Sequence, residues 1–278
     1  MNPIISIIIP CFNSGKYLPE ALQSIEACNN QEAIEIIIVD DGSKDESTLR
    51  YLESLKGNRY TIIRQENRGP AAARNTGVVA AKSECLLFLD SDNKIRLEYI
   101  EIGIDVLTKN ENVAVVYGNA AFFGDTREPR FKSRPFDIFT LLMGNYIDVC
   151  SVVRKKAFQD VSGFDESRIL FGHEDWELWL RMHSKGWKFY YIDQVLFDYR
   201  VSNSSLWTQN STFDNIKVVM HYVYVKHLEL FIEHYHMLYH QLKSHVRDKN
   251  KPFRTLVKNL YQKYFLIVTG KDIPTSTN

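Results

Sequence analysis

Isoleucine-rich runs separated by polar turns dominate the first part of the chain. Ile4 to Pro10 is apolar almost throughout and stops at proline, and Glu35 to Val39 repeats the pattern before opening into Asp40-Asp41-Gly42-Ser43. Runs with so little polar alternation predict strands buried on both faces. Between them, Asn13-Ser14-Gly15 marks a turn, after which Leu18, Leu22 and Ile25 recur at helical spacing. Strand, helix and strand in that order make one βαβ unit.

The pattern recurs downstream. Thr61 to Arg64 predicts a strand, Pro70 to Lys82 an alanine-rich helix, and Cys85 to Leu89 a strand ending at Asp90. Ile100, Ile104 and Leu107 share a helical face, and Val113 to Tyr117 predicts a further strand. Such alternation implies an α/β fold with a doubly wound, mostly parallel sheet, whose ligand crevice lies at the carboxyl ends of the strands. The polar clusters fall at those ends.

From Asn119 the alternation stops, and Gly124 to Pro135 is a proline- and arginine-bearing loop of the kind that moves or touches a substrate. A second half predicts a strand near Ile147 to Val153, a helix from His173 to Ser184, and strands near Lys188 to Ile192 and Val195 to Tyr199. After Ser211 the helical spacing of Val219, Tyr222, Val223, Leu230 and Leu238 predicts two or three helices. The expected organisation is one α/β domain over 1–205, with halves 1–118 and 119–205, and a helical region over 206–278. There is no internal repeat.

At 278 residues and 45% hydrophobic content the chain can bury a large core. Lys plus Arg and Asp plus Glu both number 34, so no overall positive field favours nucleic acid. Cys11, Cys28, Cys85 and Cys150 are scattered and form no CxxC pair, which fits reduced thiols better than a disulfide framework or a zinc site. Met1-Asn2-Pro3-Ile4 lacks a charged region followed by a long apolar run, and no stretch approaches the ~20 apolar residues that span a bilayer. The reading is a cytoplasmic protein.

Four polar segments carry candidate chemistry. Asp40 sits where a buried strand opens into a tight turn, placed to accept a hydrogen bond from a base N–H, with Asp41 close to a ribose. Asp90-Ser91-Asp92 follows another apolar strand, and carboxylates at i and i+2 can face one hard cation that bridges phosphate oxygens. Arg68-Gly69-Pro70 through Arg74-Asn75 puts two cations near a helix start, where N–H groups and the helix dipole also attract anions. Glu174-Asp175 opens a helix with a large aromatic face. Taken singly, the Asp40 segment reads equally well as a polar turn and the Arg68 segment also reads as a solvated helix start, while Asp90-Ser91-Asp92 reads better as a capped loop and Glu174-Asp175 as dipole compensation.

As a set, in this order and at these strand ends, they are specific. Ser6 to Asn13, Ile37 to Asp45, Gln65-Glu66-Asn67-Arg68-Gly69 through Ala73-Arg74-Asn75, Phe88-Leu89-Asp90-Ser91-Asp92 and Glu174-Asp175 together resemble the family 2 glycosyltransferases with the GT-A fold, over roughly the first 200 residues. The resemblance implies hexosyl or N-acetylhexosaminyl transfer from a nucleotide-sugar donor, UDP being favoured, to a glycan or lipid-linked saccharide acceptor in polysaccharide biosynthesis. It implies inversion in a single displacement. Pro10, Asp40, Asn67 and Arg74 would line the nucleoside pocket, with Asn13, Asp41, Arg68, Gly69, Asp90, Ser91 and Arg200 also on the donor. Asp92, with Asp90, would hold Mn2+ or Mg2+. Asp175 would be the catalytic base, and Glu174 would orient it or touch the acceptor.

Two positions depart from the family's pattern. Asn93 stands where a further aspartate is frequent, and Tyr199-Arg200-Val201-Ser202-Asn203 lacks a histidine frequent after the Tyr-Arg. If that histidine normally helps hold metal or pyrophosphate, Arg200 or a water must substitute.

The tail lies beyond the resemblance. His236 and His240 stand one helical turn apart, better read as incidental on an aromatic face than as metal ligands. Lys249, Lys251, Arg254, Lys258 and Lys263 interleave with Phe253, Leu256, Leu260, Tyr261 and Phe265. Three roles stay open for them: peripheral association with the inner face of an anionic membrane, homodimer contacts, or simple packing.

Among rival readings, a nicotinamide enzyme needs GxGxxG after the first strand, where this chain has Pro10-Cys11-Phe12-Asn13-Ser14-Gly15. A nucleotidyltransferase should show a glycine-rich basic loop there. A non-catalytic nucleotide- or carbohydrate-binding module of the same fold would bind UDP without turnover.

Overall fold

The computed structural model describes residues 3–27, 33–57, 59–202 and 213–250. Four parallel strands build the first half: β1 (Ile5–Cys11), β2 (Ile34–Asp40), β3 (Tyr60–Arg64) and β4 (Cys85–Phe88). Their register sets Ile7 beside Ile36 on one side and Leu87 on the other. Ile5, Ile7, Ile8 and Ile9 are all fully buried, as expected of a strand covered on both faces.

Alternate residues of β1 serve opposite layers. Ile5, Ile7 and Ile9 share one cluster with Leu18, Ala21, Leu22 and Ile25 of α1 (Leu18–Glu26). On the other face, α3 (Pro70–Ala80) comes so close that a Cβ on Gly77 would stand 2.5 Å from Ile8 Cγ2. The helix α2 (Glu46–Ser54), which the hydrophobic pattern does not reveal, is capped by Asp45 accepting the Thr48 N–H at 2.8 Å. It buries only Thr48 and Leu52, too short a stripe to stand out in sequence.

The second half continues the sheet with β5 (Lys94–Ile95), β6 (Val113–Gly124), β7 (Val152–Arg154) and β8 (Lys188–Val201). The full order is β3-β2-β1-β4-β7-β6-β8-β5, and β7 runs antiparallel to both β4 and β6. Three expectations change here. β6 does not stop at Tyr117 but runs on to Gly124, paired in parallel with β8. The two late strands are one, because shifts in register opposite Asn119 absorb the polar Asp193-Gln194 without breaking the pairing. The strand near Ile147 shrinks to three residues, and 147–151 becomes a loop in which Asp148 caps the Cys150 N–H at 2.8 Å.

Helices α4 (Leu97–Lys109), α5 (Ile138–Met143), α6 (Lys155–Asp160) and α7 (Glu174–Ser184) complete the layers. The fully buried Tyr99 of α4 donates its hydroxyl to Cys150 O at 2.8 Å. α7 is fixed by Trp176 and Trp179, whose indole N–H groups donate to Leu141 O at 2.6 Å and Ile147 O at 2.9 Å.

The first compact unit is Met1–His227, so it includes α8 (Phe213–Lys226), beyond the boundary at 205 expected from the sequence. The reason is ionic. Glu177 of α7 is fully buried and meets Arg181 at 2.6 Å, Lys226 at 2.9 Å and His227 at 3.1 Å. Lys226 and Tyr222 also reach Asp165. The second unit is described through α9 (Leu228–Asn250). Lys251, Arg254, Lys258, Lys263 and the aromatics among them lie outside the described residues. Cys11, Cys85 and Cys150 are free thiols.

Candidate active site

The carboxyl ends of β1, β2 and β4 open into a cleft of about 660 Å³, whose far wall is the start of α7 and the 145–149 loop. A second recess of about 390 Å³, lined by aromatic residues such as Phe136, Trp187 and Phe189, carries no carboxylate. The cleft carries six, Asp41, Asp90, Asp92, Asp148, Glu174 and Asp175, against the cations Arg74, Arg130 and Arg200.

Its floor is tied together by loop-to-loop hydrogen bonds. Asn13 sits at φ 50°, a left-handed conformation that asparagine tolerates, and its Oδ1 accepts the Lys44 N–H at 2.8 Å. Gly42, at φ 77°, lets the β2 turn pass close to the neighbouring loop, since a Cβ there would meet Asn67 N at 2.9 Å. The two aspartates of this turn face different ways. Asp41 lines the cleft and accepts from Gln65 Nε2 at 2.7 Å, Arg68 N at 3.0 Å and Gly69 N at 2.8 Å. Asp40, equally buried, turns to Ser43 N at 2.9 Å and Arg64 at 3.3 Å, and does not line the cleft. The Arg68 side chain also points elsewhere, to Glu166.

Arg74 is the hub. Only 3% exposed, it donates from Nη2 to Asp90 Oδ1 at 2.6 Å and from Nη1 to Glu174 Oε1 at 2.6 Å. Burial opposes its charge, but Asp90 and Glu174 outweigh that and hold its pKa above the ordinary value. Glu174 spends its other oxygen on the Gly172 N–H at 2.8 Å, so both its oxygens are engaged and neither contacts Asp175.

Asp175 is held differently. Oδ2 accepts from Asn145 Nδ2 at 2.8 Å, and Oδ1 from the Trp176 N–H at 2.8 Å. Burial first, then Glu174 and Asp148, raise its pKa well above the usual carboxylate value. Asp92 is pushed up to about 7 by burial and by Asp90, against the pull of Arg200. Asp148, which the hydrophobic pattern hides inside an apolar run, is likewise pushed up to about 7, by burial and then Asp90. The sequence signal was there, a lone carboxylate between Ile147 and Val149.

Arg200 closes the cleft from β8, donating to Asp92 O at 3.0 Å and Glu20 at 2.9 Å with its guanidinium against Tyr17 and Phe123 at 4.5 and 4.4 Å. The departure at Asn93 now has a structural role: its side chain is buried and Oδ1 accepts the Arg200 N–H at 2.8 Å. Ser91 donates to Ser14 at 2.8 Å, linking the β4 end to the β1 turn. Pro10, Asn67 and Gly69 also line the cleft.

Hard oxygen donors in negative excess suit a divalent cation such as Mg2+ or Mn2+. Asp92 and Asp90 are the side chains that could hold one, although among the described residues no three His, Cys, Asp or Glu side chains are grouped to hold an ion.

Residues 6–162 match the family described as glycosyl transferase family 2. The chain belongs to the family 2 glycosyltransferases. Residues 145–241 additionally match the family described as N-terminal domain of galactosyltransferase, so this transferase has family likeness in its second half too. An uncharacterized glycosyltransferase of Haemophilus influenzae is 33% identical over 186 residues, 64% of this chain and 71% of that protein. One from Rickettsia prowazekii is 30% identical over 211 residues, 72% of this chain and 63% of that protein. Another, from Rickettsia bellii, is 29% identical, and the match spans only 27% of its length. In structure, S. aureus TarS in complex with UDP-GlcNAc superposes with a TM-score of 0.64 at 22% identity, covering 82% of this chain and 67% of that one. That likeness establishes the GT-A fold. Among the described residues of this family 2 glycosyltransferase, no helix is long and apolar enough to cross a membrane.

Proposed function

We propose that the protein transfers a hexosyl or N-acetylhexosaminyl group from a UDP-sugar to a hydroxyl of a glycan or lipid-linked acceptor, with inversion and with Asp175 as the base. The observation that carries this is the placement of two kinds of carboxylate across one cleft. Asp90, tied to Arg74, and Asp92 stand at the end of β4, while Asp175 stands at the start of α7, held by Asn145.

Direct displacement needs the hydroxyl to attack from the face opposite the departing diphosphate, so the base must stand across from the groups that hold the phosphates. Asp175, which lines the same cleft from the start of α7, would fill that role. Asn145 and the Trp176 N–H fix its orientation. Asp41 would read the nucleoside from the floor, with Pro10 and Asn67 beside it. Arg74 and Arg200 place positive charge at the diphosphate end. A bound Mn2+ or Mg2+ would supply Lewis-acid stabilisation of the leaving diphosphate, with Asp92 and Asp90 as its protein ligands. TarS in complex with UDP and with UDP-GlcNAc supports the choice of nucleotide.

The test is a panel of UDP-, GDP- and dTDP-sugars, each with and without manganese, read by thermal shift and then by transfer to saccharide acceptors. A ligand bound only by the native state raises its melting temperature by mass action. A shift with UDP-sugars that grows with manganese, followed by release of UDP on acceptor addition, is the expected result. A shift without turnover of any acceptor would leave a nucleotide-sugar-binding module.

A further inference from the structure

α9 leaves a line of large apolar side chains in water. Leu228, Ile232, Tyr235, Tyr239 and Val246 are 56, 62, 59, 47 and 50% exposed. With Leu242, which fills the remaining position in the sequence, their intervals are four, three, four, three and four residues. That alternation is the seam of a coiled coil, in which apolar residues recur every 3.5 residues. Monomeric proteins seldom leave so continuous an apolar stripe uncovered.

We propose that α9 pairs with α9 of a second copy of this chain as an antiparallel two-stranded coiled coil. The charges flanking the stripe select both the partner and its direction. Glu229 and Lys243 occupy equivalent positions, each one residue after a seam residue, Leu228 and Leu242. When two copies run antiparallel with Leu228 opposite Val246, Ile232 opposite Leu242 and Tyr235 opposite Tyr239, every seam position meets a seam position. That same register sets Glu229 of each copy beside Lys243 of the other, giving two opposite-charge pairs. His236, midway between them, meets its own symmetry mate at the two-fold axis. Run in parallel, the copies set Glu229 beside apolar or neutral flanking residues and make no charge pair. The stripe is therefore self-complementary in one orientation, as a two-fold interface requires. Tyr235 and Tyr239, stacked with ring centroids 6.3 Å apart, bring apolar rings to the seam while their hydroxyls reach water at its edge.

The test uses the full chain. Sedimentation velocity over a concentration series should show a reversible monomer–dimer equilibrium, abolished by Ile232→Glu with Tyr239→Glu while the UDP thermal shift stays that of wild type. Glu229→Lys or Lys243→Glu alone should raise the dissociation constant about tenfold, since each turns two attractions into repulsions, and the two together should restore it. Direction is read by cross-linking: under oxidation, His236→Cys should yield a reducible dimer that Ile232→Cys and the wild type do not. A wild type that stays monomeric at every concentration would overturn the proposal. So would a dimer indifferent to Ile232→Glu, cross-linking of Ile232→Cys but not His236→Cys, or a monomer whose α9 stripe instead drives binding to vesicles of anionic lipid.

Discussion

Arg74 and Glu174 are 100 positions apart in sequence and meet at 2.6 Å, joining the first half of the molecule to the helix that carries Asp175. The same guanidinium holds Asp90 at 2.6 Å, so one side chain spans the cleft from the β4 end to the α7 start. The two contacts leave from separate nitrogens of one planar fork, a geometry that a lysine ammonium does not reproduce.

Arg74→Met should therefore cost about 3 kcal/mol, the low end for breaking a buried ion pair, because Asp90 remains partly solvated while Glu174 does not. Adding Glu174→Met should cost less than the sum of the two single changes, since the second removes a charge the first left unpaired. Urea unfolding of the four proteins checks this, and strict additivity would mean that the pair is not coupled.

Glu177 gives a pH-dependent prediction. Burial acts to raise its pKa, but His227, Arg181 and Lys226 overcome that and lower it from 4.5 to about 2. A depressed carboxyl contributes stability that is complete above its unfolded value and is lost as pH falls through the folded one. Glu177→Gln should thus be destabilised by about 3 kcal/mol at pH 7, and the gap from wild type should narrow as the pH drops from 4.5 towards 2. Calorimetric melting temperatures across that range decide the matter. A gap that widens in acid would reverse the sign of the assignment.

Asp148 should behave oppositely. Its pKa is raised to about 7, so its charged form is disfavoured in the fold, and stability falls as pH rises from the unfolded value near 4 through 7. Asp148→Asn keeps an acceptor for the Cys150 N–H and removes the charge. It should melt higher than wild type at pH 8, with the difference shrinking towards pH 4. Equal melting temperatures at pH 8 would show that the carboxylate is not under electrostatic stress.

Much of this was legible in sequence, and the exceptions share a cause. Ile5 to Ile9 and Ile36 to Val39 announced buried parallel strands because nothing polar interrupts them. Asp90 and Asp92 stood out because they sit where an apolar run meets a loop, whereas Asp175 was singled out of its pair by the family resemblance. Direction was not legible. Asp40 and Asp41 are neighbours, and only the turn geometry decides that Asp41 enters the cleft while Asp40 caps Ser43. Arg68 likewise looked like an anion binder until Glu166, almost a hundred residues away, was seen to hold it. Asp148 was concealed because an aspartate inside an apolar stretch reads as an outward-facing strand position, whereas 147–151 is a loop that turns it inward.

The roles of Asp175 and Glu174 separate in a way the sequence pair alone did not allow. Glu174 has both oxygens occupied, by Arg74 and the Gly172 N–H, and on the proposed function it would act through Arg74 as a positioning residue. Glu174→Gln should lower the melting temperature and weaken UDP binding, because Arg74 loses half its neutralisation and its fixed position. Asp175→Asn should do neither to the same degree. Neutralising a carboxyl whose pKa is raised is favourable, but Oδ1 must still accept from Trp176, which turns the new amide nitrogen towards Asn145 Nδ2, and Asn145 cannot flip without giving up its own bond to the Ile147 N–H. The two effects oppose, and the net change in stability should be small. Transfer is where Asp175→Asn should fail, by roughly the 10²- to 10⁴-fold that loss of a general base costs, with UDP affinity unchanged. Measuring melting temperature, UDP affinity and transfer rate for both variants distinguishes the roles. Near-wild-type transfer by Asp175→Asn beside an inactive Glu174→Gln with intact UDP binding would move the base to Glu174, and full activity in both would remove the pair from the reaction.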